Sequence, residues 1–264
     1  MTESHNRSLH WFVVLMAATW LVLFVMARPT AGSWVAVTPL LIIMTVWVGR
    51  AACLRSGKIL ASAALAGVAL QAVAQFLMAA AFFAACLAQI VFAMLAALVV
   101  LSSSSWRREP HTVLDGGWPS LRSLSITTAA LIFLDTIFGA AFEHQLLGPV
   151  LHIATAMAAT VVAVMLCIFL LTQHSGHESL RQSAMALLAV TPVQVFLGVA
   201  EYMRRLRVVR ASSPDASAAV LSLIHTAAGA LTLAAAVALA MQVSRNVRKP
   251  AGISLSSPRS VGTI

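Results

Sequence analysis

The stretch LLGPVLHIATAMAATVVAVML, Leu146 to Leu166, contains no Asp, Glu, Lys or Arg. About 20 mostly apolar residues in a helix cross the hydrocarbon of a bilayer, so this stretch reads as a membrane span. Its one ring with strong polarity is His152. A lone imidazole in an apolar span is more often a hydrogen-bonded structural residue than a ligand. A second histidine in a matching setting reverses that reading.

The rest of the chain agrees with a membrane assignment. Of 264 residues, 60% are hydrophobic and 9% charged, against roughly a quarter charged in soluble domains. That composition excludes a soluble, secreted or nucleic-acid-binding domain. The N-terminal apolar run reads as a first span, since no small-residue cleavage site leads into a soluble domain. Cys53, Cys86 and Cys167 stand apart from one another, which indicates neither a CxxC site nor a disulfide framework.

Apolar runs predict an all-α integral membrane fold with eight transmembrane helices near 10–27, 34–50, 59–79, 81–101, 124–144, 148–172, 180–202 and 216–243. The third and fourth come from one stretch, Ile59 to Leu101, which as a single helix would be about 60 Å long, twice the hydrocarbon thickness. It must fold back, near Met78 to Phe82. Lys and Arg orient the spans. With both termini cytoplasmic, twelve of the 17 fall inside, and only Arg28, Arg204, Arg205, Arg207 and Arg210 fall outside. Four arginines in one outer loop break the pattern.

The second histidine is His225, in AAVLSLIHTAAGALTLAAAVALAMQV, Ala218 to Val243. Its span runs inward, as does that of His152. At 1.5 Å per residue, His152 to Thr172 and His225 to Ser244 are each roughly 28–30 Å, so both rings lie near the outer edge of the hydrocarbon. Two imidazoles at one depth on separate helices can bind the two faces of a single heme iron. Ala156 and Gly229, each one turn further on, leave room for a flat macrocycle, although small residues also serve ordinary helix packing.

An internal repeat joins LQAVAQ from Leu70, LDTIFG from Leu134 and VQVFLG from Val193. Each has an amide or carboxyl residue in second place, and in two of them a Gly follows four residues later on the same helix face. The chain therefore divides into two four-helix bundle repeats, N-in and C-in, with the sixth span matched by the second and the eighth by the fourth. Residues 1–115 form the first half, 116–246 the second, and 247–264 a basic tail expected to be disordered on anionic lipid.

Four stretches resemble the heme A synthase family of eight-helix membrane proteins. ACLAQIVFAMLAALVVLSSSSWRRE resembles its fourth helix and cytoplasmic exit, FGAAFEHQLLGPVLHIATA the link from fifth to sixth, VQVFLGVAEY the seventh, and LIHTAAGALTLA the eighth. The resemblance implies that His152 and His225 are the metal ligands of a heme b. It also implies a bacterial cytoplasmic (inner) membrane location, crossed several times, and heme O or another porphyrin as a partner. In that family an N-terminal histidine pair serves the heme O whose methyl group becomes the formyl of heme A. Here no histidine lies between His10 and His111, and Ala84 stands where the fourth-helix ligand belongs. The second span lacks the Glu and His-Arg elements, the outer loop RPTAGS has no cysteine pair, and Glu143 replaces an arginine. The resemblance thus carries fold and heme b binding further than it carries heme A synthesis.

The expected function is a heme b-binding relative of heme A synthase, either a divergent oxidoreductase or a protein that kept only the cytochrome half. The alternative is a non-redox membrane assembly or accessory subunit whose histidines bond across the bundle. A transporter ranks third, for want of broken helices and a charged site at the midplane. Arg204, Arg205, Arg207 and Arg210, on the side of both ligands, are candidate cofactor-binding partners of the heme propionates. Membrane lipid and a membrane-protein partner or second copy of the chain complete the expected contacts, and nucleic acid is not among them. Asp135 reads as an interhelical hydrogen-bonding residue before a proton relay, His144 as interfacial, and His174 and His177 as a solvated loop.

Overall fold

The computed structural model describes residues 3–26, 55–76, 81–208 and 216–248. Helix α1 spans Glu3–Met26, α2 Arg55–Phe76, α3 Ala81–Ser102 and the single turn α4 Ser104–Arg107. Helices α5 Leu121–Glu143, α6 Pro149–Gln173, α7 Glu178–Val208 and α8 Ala216–Asn246 follow. Two short strands, β1 Val113–Leu114 and β2 Val247–Arg248, pair in parallel. Five helices among the described residues are long and apolar enough to cross a membrane, α3 and α5 to α8. Leu9–Val22 and Gly57–Gln71 are shorter apolar segments. The expected second span at 34–50 lies outside the described residues.

The apolar stretch from Ile59 to Leu101 is divided, as its length demands. Helix α2 ends at Phe76, α3 begins at Ala81, and the two pack against each other. Helix α8 sits centrally, in contact with α7, α5, α3 and α1. Lipid tails are as apolar as leucine, so association in a bilayer depends on close packing rather than on escape from water. Accordingly the buried positions are rich in alanine, including Ala84, Ala88, Ala159, Ala163, Ala184, Ala230 and Ala236. Large side chains such as Phe196 and Val150, 73% and 74% exposed, face outward, as a lipid-facing surface requires. Buried apolar residues form two clusters, one on α1, α2 and α3 that reaches Ala230 of α8, the other on α5 to α8.

Two local features set the register of the second cluster. Pro149 opens α6 in the first turn, where its missing N–H costs nothing. Before it the chain reverses at Gln145, whose φ of 60° is left-handed, and the Leu146 N–H donates to the Ala141 carbonyl at 2.8 Å. The tight reversal brings the start of α6 back against the end of α5. At the opposite end of the bundle, Val113 pairs with Val247 and Leu114 with Arg248. The tail expected from residue 247 thus begins with two ordered residues, because β1 offers them a backbone partner; 249–264 lie outside the described residues.

Candidate functional site

Asp135 and Gly139 are one turn apart on α5 and present the same face to α6. A Cβ added at Gly139 would come within 3.1 Å of His152 Cε1 and 3.3 Å of its Nδ1, so the ring would have to give by a few tenths of an ångström. Gly139 is therefore the seat on which the imidazole rests. The same construction recurs on the next hairpin, where a Cβ at Gly198 of α7 would come within 3.0 Å of His225 Cε1 on α8. The two glycines of the sequence repeat thus have one job, admission of a histidine ring from the following helix.

Both seats deliver their rings to one place. The His152 and His225 ring centroids are 6.3 Å apart, with planes inclined at 66°. Nδ1 of each ring is buried and has no hydrogen-bond partner. Nδ1 of His152 nevertheless lies 2.8 Å from Oδ1 of Asp135, an ion-pair distance without hydrogen-bond alignment. Thr155 Oγ1 is 2.9 Å from the same oxygen. Gln194, the counterpart of Asp135, does not reach His225. Its Nε2 lies 3.0 Å from where a Gly229 Cβ would stand, and its buried Oε1 is unpartnered.

The arginines differ from expectation. Helix α7 continues to Val208, so Arg204, Arg205 and Arg207 are on its last turns rather than in a loop. The cause is Glu201, three and four residues earlier on the same face. Arg204 donates from Nε and Nη2 to the two Glu201 oxygens at 3.2 and 2.9 Å, and Arg205 Nε donates to Oε1 at 2.8 Å. Cations in the last turn also meet the negative end of the helix dipole. Arg205 further stacks over Phe142 of α5, 4.9 Å from its centroid. These two side chains are committed to a buried carboxylate, which the sequence reading overlooked although the spacing of Glu201 from both arginines announces it. The Arg207 side chain and Arg210 lie outside the described residues.

The remaining candidates are dispersed. His144 caps α5 and meets Phe82 edge-on, with centroids 6.5 Å apart. Ser222 Oγ donates to Glu143 Oε1 at 3.5 Å. His177 Nε2 is 2.8 Å from the His111 carbonyl, and no group of three or more His, Cys, Asp or Glu among the described residues is arranged for a metal. Ala84 is buried on α3. No protein-family model matches the chain, and no curated protein matches it.

Proposed function

We propose that this chain is a heme b-binding membrane protein of the heme A synthase type, with one iron held between His152 and His225. The observation that carries the reading is the distance between the rings. A transition metal–imidazole bond is about 2.0–2.1 Å and the ring centre lies about 1.15 Å behind the nitrogen, so two ligands on opposite faces of one metal have centroids about 6.4 Å apart. The observed 6.3 Å matches that spacing, which is also an ordinary separation for two rings in edge contact. The two glycine seats add to it, since each lets a ring stand close against the preceding helix and toward the other ring.

A heme held by His152 and His225 would supply one-electron transfer. The chain's part is to aim the ligands. Gly139 and Gly198 let the rings stand against the helices, and the carboxylate of Asp135 favours a proton on Nδ1 of His152, which leaves the other ring nitrogen free to ligate. The proposed setting is eight spans with both termini cytoplasmic, in a bacterial inner membrane, as the Lys and Arg distribution favours. Heme A synthesis is not part of the proposal, because Ala84 and the histidine-free second span supply no imidazole for a second porphyrin.

The contacts among Asp135, Thr155 and His152 also suit the non-redox reading, in which the histidines only bond across helices. One spectrum separates the two. The purified full chain should give a pyridine hemochrome of heme b near one per chain and a low-spin spectrum that His152→Ala and His225→Ala each abolish. Unchanged bands in both variants, or purification from heme-replete cells without heme, would refute the assignment.

A further inference from the structure

The other end of the bundle holds a basic pocket of about 400 Å³ lined by Asp115, Ser120, Arg122, Ser244, Arg245 and Arg248. We infer that this pocket binds a phosphate-bearing anion, with Arg122 and Arg248 as its charged ligands. The scaffold is already assembled without it. The β1–β2 pair ties the link between the halves to the end of α8, and the Asp115 N–H donates to the Arg248 carbonyl at 2.9 Å. Arg245 donates to the carbonyls of Ser105 and Arg108 and lies 4.7 Å over the Trp106 ring. It is a structural tie.

The pocket's single carboxylate does not neutralise the other two arginines. Asp115 is buried, with Oδ1 accepting from the Gly117 N–H at 3.0 Å and Oδ2 from the Leu121 N–H at 2.6 Å. Arg122 and Arg248 are exposed, and neither side chain has an ion pair or hydrogen bond among the described residues. Arg122 moreover occupies the first turn of α5, which contains no acidic side chain. The Asp115 carboxylate already accepts from the first N–H of that helix and Ser120 Oγ from the Ser123 N–H, so the α5 N-terminus is capped from within and the site's attraction for an anion rests on the two guanidinium groups. Two guanidinium groups beside the Ser120 and Ser244 hydroxyls match the oxygens of a phosphate, which arginine can hold through paired, charge-assisted bonds.

Basic pockets between spans on the cytoplasmic side are recognition sites for anionic headgroups. The charge distribution puts this end on that side, and Ser244 is 19 residues beyond His225, roughly 28 Å along the helix. The inference is therefore independent of the heme. The phosphate can come from an anionic lipid of the adjoining leaflet or from a soluble phosphate.

Delipidated full-length protein in neutral detergent would be titrated with phosphatidylglycerol, phosphatidylcholine and inorganic phosphate, with thermal midpoint and native mass spectrometry as readouts. Phosphatidylglycerol should raise the midpoint and remain bound, and phosphatidylcholine should not. Arg122→Gln and Arg248→Gln should each weaken binding about tenfold, Arg122→Lys less, and Arg181→Gln, outside the pocket, should match wild type. Equal arginine-dependent stabilisation by inorganic phosphate assigns the site to a soluble phosphate. Phosphatidylglycerol binding that is the same in wild type, both Gln variants and their double mutant, with no arginine-dependent effect of inorganic phosphate, would overturn the inference.

Discussion

In the α5–α6 hairpin, the acidic residue one turn before the seat glycine reaches the seated imidazole, Asp135 Oδ1 to His152 Nδ1 at 2.8 Å. In the α7–α8 hairpin the residue in the same place, Gln194, lies over Gly229 and leaves His225 without a partner at Nδ1. The steric half of the arrangement is repeated and the polar half is not. Shape is constrained because a ring either fits against a helix or does not, whereas a hydrogen-bonding partner adjusts how strongly the ring donates electrons. The two rings therefore occupy equivalent positions with different polar surroundings.

A third copy of the pattern sharpens the contrast. In the sequence repeat Gln71 and Gln75 of α2 stand where Asp135 and Gly139, and Gln194 and Gly198, stand, and α3 carries Ala84 and Ala88 and no histidine. Ala84, Ala88 and Gln71 are all buried, as they would be at a closed interface rather than an open cofactor site.

The largest effects are expected from the seats. Gly139→Ala and Gly198→Ala each place a methyl group about 3 Å from an imidazole carbon, and overpacking of this kind costs about 1–3 kcal/mol. Each should lower the thermal midpoint and, under the heme assignment, weaken the low-spin spectrum to a similar extent. If only one variant did so, the steric equivalence of the hairpins would be broken. Next come the polar partners. Under the heme assignment, the Asp135 carboxylate stabilises the more positive, oxidised iron through His152, so Asp135→Asn should raise the midpoint potential while Gln194→Leu leaves it unchanged. Equal shifts in a redox titration of the two variants would make the ligands electronically alike and remove the distinction drawn above.

The smallest effects belong to Arg204 and Arg205. Arg204 and Arg205 share Glu201, and their side chains are 19% and 33% exposed, so loss of either leaves the carboxylate one partner and should cost under about 1 kcal/mol. Under the heme assignment, positive charge near the iron would favour the reduced state, so Arg205→Gln should lower the potential, opposite in sign to Asp135→Asn. No potential change in Arg204→Gln and Arg205→Gln, with stability measured alongside, would confine both residues to the Glu201 contact.

Much of the site is legible in the sequence because helix geometry is periodic. Counting residues from His152 and His225 to the polar boundary places both at one depth, and four-residue spacing puts Asp135 with Gly139 and Gln194 with Gly198 on common faces. The same periodicity could have joined Glu201 to Arg204 and Arg205. Such counting works within one helix, where 1.5 Å and 100° per residue fix every relative position. It is silent on how neighbouring helices are rotated about their own axes.

The sequence by itself determined that the chain is helical and apolar enough for a membrane, that its long stretch from Ile59 must fold back, and that two histidines stand at matched depth. Only the tertiary structure decided that Gly139 and Gly198 face those rings, that Asp135 reaches one ring while Gln194 misses the other, and that β1 meets β2 across 133 intervening residues from Leu114 to Arg248. Apolarity and period are sums over neighbours in the chain. Helix rotation and strand pairing depend on contacts between residues far apart in it, and in lipid those contacts are chosen by close packing of small side chains rather than by hydrophobicity.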